Sequence, residues 1–180
     1  TGQLLALGKS LAIGGLTKLV VTIRDATTAN RPGKKGTDYR IHLSFDLRTQ
    51  TPVDVEVTDA HGGEGLERFE PQPGELVMGD RGHAYRRGIW SVVQAGARVL
   101  VRINWQNLPL LDAASRPLDV LKEAGSSKAG VPLEIPVTIA ADTKKNHTPA
   151  MPARLVVLRK TLAAALKARA DLQKEARRKG

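Results

Sequence analysis

Tyr39, Ile41, Leu43, Phe45 and Leu47 alternate with Arg40, His42, Ser44 and Asp46, the period-two pattern of a half-buried strand with its apolar face inward. Val53, Val55 and Val57 repeat it after Arg48-Thr49-Gln50-Thr51-Pro52, so the two segments are expected to form an antiparallel hairpin. The run Leu19 to Ile23 lacks alternation, as a central strand covered on both faces would. A short helix is expected through Leu66 and Phe69, then a buried strand at Leu76-Val77-Met78. Tyr85, Ile89, Val92 and Val93 recur at helical spacing, closed by Gly96, and a strand follows from Arg98 to Trp105. The order β-β-β-α-β-α-β predicts an α/β mixed sheet, a three-strand antiparallel meander plus two crossover strands, with helices on both faces.

Beyond Gln106 the character changes. Strands are expected at 131–139 and 153–158, with Ala124 to Gly130 as a flexible spacer. From Thr161 the stripe Leu158, Leu162, Ala165, Leu166, Leu172 and Ala176, ringed by basic residues, predicts an amphipathic helix. Three regions result: 1–105 as a core, 106–160 as a subdomain of short strands, and 161–180 as a basic amphipathic helix.

Charge sharpens this division. The chain of 180 residues carries a formal net charge of +10. Lys144, Lys145, Arg154, Arg159, Lys160, Lys167, Arg169, Lys174, Arg177, Arg178 and Lys179 face only Asp171 and Glu175 after position 142, so nearly all the excess lies there. Such asymmetry suits either a polyanionic partner or a solvated helix face. Cysteine is absent, which excludes disulfides and thiolate metal sites. The apolar stretch Leu4 to Leu16 is broken by Lys9 and Ser10 and lacks a basic leader, so neither a signal peptide nor a membrane span is expected. With aromatics at 3%, base stacking is a poor basis for binding single strands; Trp90 and Trp105 read as packing residues.

Asp25 and Asp80 each follow an apolar run, and on neighbouring strands they would emerge together at one sheet edge. Paired carboxylates there offer hard oxygen ligands to Mg²⁺ or Mn²⁺, the arrangement that clamps a phosphodiester. Taken singly, either aspartate is more cheaply a turn or helix cap. Arg40 and His42 share the polar face of their strand, open to DNA phosphate or merely to water, and Arg81 and His83 flank Asp80. His61, before Gly62-Gly63 and Glu64, reads as a turn leading into a helix.

Several separated strings then resemble one family. Asp25-Ala26-Thr27-Thr28, Arg31-Pro32-Gly33, Gly36-Thr37-Asp38-Tyr39-Arg40-Ile41-His42-Leu43, Thr58-Asp59-Ala60-His61-Gly62-Gly63-Glu64, Gly79-Asp80-Arg81-Gly82-His83 and Ala153-Arg154-Leu155-Val156-Val157-Leu158-Arg159-Lys160 are similar to bacterial insertion-sequence transposases of the insertion-sequence-four family. The resemblance runs from about Leu16 to the C-terminus. It implies a ribonuclease-H-like catalytic core, partial in 1–105, with a partial β-rich insertion in 106–160.

It also implies a site of two aspartates and a glutamate, with Asp25 and Asp80 as the first two catalytic and metal-binding carboxylates and Mg²⁺ or Mn²⁺ as cofactor. The third acid is expected on a later helix, in a motif that begins Tyr-Arg. No such motif occurs here, and Glu175 has the wrong surroundings, so the chain is expected to stop within the insertion and to be inactive alone. The implied activity is hydrolysis of the phosphodiester at the transposon end, followed by attack of the freed 3′-hydroxyl on target DNA. Implied partners are transposon-end and target DNA, with a possible homodimer of the full-length protein and no membrane. A bacterial cytoplasmic, nucleoid-associated location is implied as well. Arg40, His42, Arg81, His83, Lys144, Lys145, Arg159, Lys160, Arg177, Arg178 and Lys179 are the candidate DNA contacts. A noncatalytic nucleic-acid-binding module and a nuclease of the same fold without strand transfer are the alternatives.

Overall fold

The computed structural model describes residues 19–33 and 36–179. The apolar stretch Leu4 to Leu16 lies outside the described residues. The chain divides into two compact units: the residues up to Leu108 together with Ala141–Pro149, and Pro109–Ala140 together with Ala150–Gly180.

The first unit holds five strands, β1 (Val21–Ala29), β2 (Tyr39–Asp46), β3 (Thr51–Asp59), β4 (Leu76–Gly79) and β5 (Arg98–Val101), in the spatial order β3-β2-β1-β4-β5. The meander β1-β2-β3 is antiparallel, while β4 and β5 add parallel to β1. This is the mixed sheet that the alternation predicts. The β2–β3 turn is built by Asp46, whose Oδ1 accepts from the amides of Arg48 (2.7 Å) and Thr49 (3.3 Å). The parallel connection from β4 to β5 passes through helix α1 (Arg86–Gln94). That helix ends where Gly96 takes φ 77°, a backbone conformation costly for a residue with a Cβ.

The packing of the sheet reverses one expectation. Thr22, Arg24, His42, Ser44 and Asp46, the polar alternates, are buried, and the apolar alternates Ile41, Leu43 and Phe45 are only partly covered. Val53, Val55 and Val57 are 51–62% exposed on the edge strand. The reason lies in what covers each face. Leu66, in a single 3₁₀ turn (Leu66–Arg68), and Ile89 and Val92 of α1 are buried with Val77 of β4, and the register puts Val77 level with Thr22. Polar groups on this covered face must therefore be satisfied internally. Thr22 donates to Glu75, whose other carboxylate oxygen accepts from the Gln72 amide at 2.7 Å.

Three further boundaries differ from expectation. The segment through Leu66 is one 3₁₀ turn. Strand β5 stops at Val101, before the turn in which Asn104 accepts from the amides of Asn107 and Leu108, both at 2.9 Å. The supposed spacer overlaps helix α2 (Val120–Ser126), nucleated by Asp119, whose carboxylate accepts from the amides of Leu121 (3.1 Å) and Lys122 (3.0 Å).

In the second unit β6 (Leu110–Leu111), β7 (Pro132–Ile139) and β8 (Met151–Leu158) form an antiparallel sheet, followed by helix α3 (Leu162–Lys179). Leu162, Leu166 and Leu172 of α3 are 55–76% exposed, so the apolar stripe of this helix is not buried. Among the described residues, no helix is long and apolar enough to cross a membrane.

Candidate metal site

The parallel β1–β4 pairing ends at Arg24 opposite Gly79. Asp25 and Asp80 are the residues that follow this last pair, Asp25 within β1 and Asp80 just past the end of β4. Asp25 is not a strand end, because β1 continues to Ala29 against β2 with Asp25 opposite Leu43. It is exposed, and its Oδ1 accepts from the amide of Ala26 at 2.9 Å.

Asp80 is held more firmly. It caps the 3₁₀ turn Arg81–His83, and its Oδ1 accepts from the Gly82 amide at 2.7 Å and faces Nδ1 of His83 at 3.0 Å. Partial burial acts to raise the Asp80 pKa. The His83 and Gly82 hydrogen bonds, with the charges of His83 and Arg102, outweigh it and leave the carboxyl below its ordinary value. The aspartate is therefore ionised at neutral pH.

Glu64 completes a cluster: its carboxylate, that of Asp80 and a ring nitrogen of His83 all lie within 4.8 Å of one another. Asp25 does not belong to that cluster. Gly82 leaves room between the two acids, since a Cβ there would meet Oε2 of Glu64 at 3.0 Å and Oδ1 of Asp80 at 3.1 Å. The two carboxylates of this cluster supply hard oxygen donors of the kind that suit Mg²⁺ or Mn²⁺ rather than a thiophilic ion. Beside the cluster opens a cleft of about 440 Å³ lined in part by Glu64, Glu67, Arg68, Tyr85 and Arg87. The Tyr85 hydroxyl donates to Glu67 at 2.6 Å, and burial together with that bond raises its pKa, so the phenol stays protonated.

The remaining candidates fall into two groups. His42 is 2% exposed, its Nε2 lies 3.0 Å from Oγ1 of Thr58, and burial lowers its pKa, so at neutral pH it is an uncharged interior ring. His83 is equally buried and its Nδ1 faces Asp80. Arg40 pairs with Glu64 at 3.4 Å. Arg159 turns back to the carbonyls of Gly125 and Ser127, both at 3.1 Å, at the end of α2.

Arg81, Lys144, Lys145, Lys160, Arg177 and Arg178 are exposed, and Lys179 is the last residue of α3. The amides of Lys144 (3.3 Å) and Lys145 (3.0 Å) are anchored on Asp142, which leaves their side chains outside a tight turn. Sequence reasoning passed over Glu64 and Arg102 as site residues. Glu64 sits in a glycine loop with no periodicity to place it, and only the spacing to a neighbouring strand brings Arg102 toward Asp80.

Comparison with known proteins finds insertion-sequence transposases. Over 157 residues, 87% of this chain, it is 31% identical to the protein named transposase InsL for insertion sequence element IS186A in Escherichia coli K12. The same identity and coverage relate it to the transposase for insertion sequence element IS421 of Escherichia coli. The chain spans 42% of the length of these relatives. Neither a family model nor a solved structure matches it.

Proposed function

We propose that this chain contributes part of a transposase catalytic domain of ribonuclease-H-like type, in which Asp25 and Asp80 are the first two metal-binding carboxylates. The observation that supports the reading is the register Arg24 opposite Gly79, after which Asp25 and Asp80 are the next residues of the two adjoining parallel segments. The similarity to insertion-sequence transposases supports it independently. The insertion-sequence-four assignment, a third acid outside these 180 residues, DNA ends and target as partners, a homodimer of the longer protein and a cytoplasmic site of action belong to the same proposal.

The exposed carboxylate of Asp25 and the ionised carboxylate of Asp80 are hard oxygen donors of the kind a divalent ion takes. Asp25 and Asp80 would hold Mg²⁺ or Mn²⁺, which when bound supplies Lewis-acid polarisation of a phosphodiester and a water of lowered pKa. What the chain itself does is electrostatic. It keeps Asp80 ionised through the Gly82 and His83 bonds, and Arg40 pairs with Glu64 at 3.4 Å. Exposed Lys174, Arg177 and Arg178 on α3 offer charge to a phosphate backbone.

The test is Mn²⁺ titration of the wild-type chain, D25N and D80N by calorimetry, with duplex DNA affinity measured alongside. Wild type should bind Mn²⁺ and each variant should lose it, with DNA affinity kept or raised because a negative charge is gone. Equal Mn²⁺ binding in all three would overturn the metal reading. Retained DNA binding would then favour the noncatalytic nucleic-acid-binding module, for which the exposed basic helix α3 speaks. Joined products from a 3′-hydroxyl donor, assayed in a chain of the relatives' length, separate a transposase from a nuclease of the same fold.

A further inference from the structure

Asp80 is the most constrained acid of the cluster, and the constraint falls on one oxygen. Oδ1 takes both the Gly82 amide at 2.7 Å and the His83 ring at 3.0 Å, while Oδ2 carries no such bond among the described residues. An ionised carboxylate is an acceptor only, so Nδ1 of His83 carries the proton and donates. The ring cannot swing away. It is 2% exposed and packs where Gly79 has no side chain: a Cβ at position 79 would stand 2.8 Å from Cβ of His83, 3.0 Å from its Cγ and 3.2 Å from Cδ2 of Leu66. The backbone adds to the enclosure, with the His83 amide on the Asp80 carbonyl (3.3 Å) and the Tyr85 amide on the His83 carbonyl (2.9 Å).

We propose that His83 is a positioning residue: with the Gly82 amide it locks Oδ1 of Asp80, so that Oδ2 is the oxygen offered to the divalent cation. This rests on the metal reading above. A buried imidazole is a costly way to fill the space beside Gly79 unless its polar edge is used, and the Asp80 oxygen is the described partner of Nδ1. Partners that orient a metal ligand typically contribute about 10–100-fold to metal affinity.

The test uses the full 180-residue chain and Mn²⁺ as the probe, comparing wild type, His83→Ala and His83→Asn, with D80N as the control for the metal site. The asparagine amide can reach the place of Nδ1 and restore the bond; alanine cannot. We expect His83→Ala to bind Mn²⁺ at least about tenfold more weakly and His83→Asn to stay within about threefold of wild type. A slowly exchanging, downfield proton on Nδ1 of His83 should be visible by NMR in wild type and move upfield in D80N, whose neutral amide oxygen is a weaker acceptor.

Wild-type Mn²⁺ affinity in a folded His83→Ala overturns the positioning role and leaves the metal site intact. Loss of affinity equal in His83→Asn and His83→Ala also overturns it, because His83 is then a direct ligand or a packing residue. Absence of Mn²⁺ binding by wild type fails the underlying metal reading, and this inference falls with it.

Discussion

Nη1 of Arg24 donates to the carbonyl oxygen of Phe69 at 2.7 Å, with the guanidinium carbon 6.0 Å from the Phe69 ring centroid. The same nitrogen donates to the Leu66 carbonyl, so one side chain of the central strand fastens the 3₁₀ segment onto the sheet. Arg24 is 2% exposed, and desolvation lowers its pKa against the opposing pull of Glu75 and Asp54. Arg24→Ala should cost about 3 kcal/mol, because two carbonyls lose their donor and buried Glu75 loses a positive neighbour. Urea denaturation measures it; an unchanged midpoint would mean that water replaces the guanidinium without penalty.

His42 gives the first unit a pH dependence with a definite sign. Burial first, then the charges of Arg68 and Arg40, depress its pKa below the ordinary 6.5, while Glu56 and Glu64 pull the other way. A histidine neutral in the fold binds fewer protons than the unfolded chain, so its contribution is full above pH 6.5. That contribution falls as pH drops from there toward the lower folded value. Melting temperatures across pH 5–7 should decline toward acid in wild type, and the slope should flatten in His42→Gln.

Helix α3 should bind nucleic acid through charge alone. Replacing Lys174, Arg177 and Arg178 together by Ala should weaken duplex binding and reduce the slope of log K against log salt by up to about 2.7 if each contacts a phosphate. The loss should be the same for unrelated sequences. A sequence-dependent loss, or none, would separate the helix from backbone contacts.

The edge strand β3 presents Val53, Val55 and Val57 to solvent, 51–62% exposed. Val55→Thr with Val57→Thr should therefore leave stability within about 0.5 kcal/mol while lowering binding of an apolar dye such as ANS. A drop of several kcal/mol would show that these valines are covered in solution.

How much of this was legible follows from what each pattern encodes. Alternation at Tyr39–Leu47 and Val53–Val57, and the apolar run at Leu76–Met78, gave the strands and their order. Alternation carries a period without a direction, however. The face that packs is chosen by Leu66 and α1, which come later in the chain, and they chose the side with Thr22, Arg24, His42 and Ser44. For that reason the pattern puts His42 on a polar strand face, open to water or phosphate, where the fold buries it. Asp25 and Asp80 could be nominated because each follows an apolar run. Glu64 could not, since Gly62, Gly63 and Gly65 around it supply neither period nor cap.

The β1–β4 pairing also fixes when the acidic pair comes into being. The hairpins β1–β2 and β2–β3 close over short connections, but Arg24 meets Gly79 only after the chain has looped back past the whole meander. Such non-local pairing bears the entropy of closing a long loop before any contact rewards it. By that cost the pairing that carries Asp25 and Asp80 is expected to form later than the hairpins. Nascent chain emerging from a ribosome thus carries no assembled acid pair until the segment through Leu76–Gly79 has been made and docked.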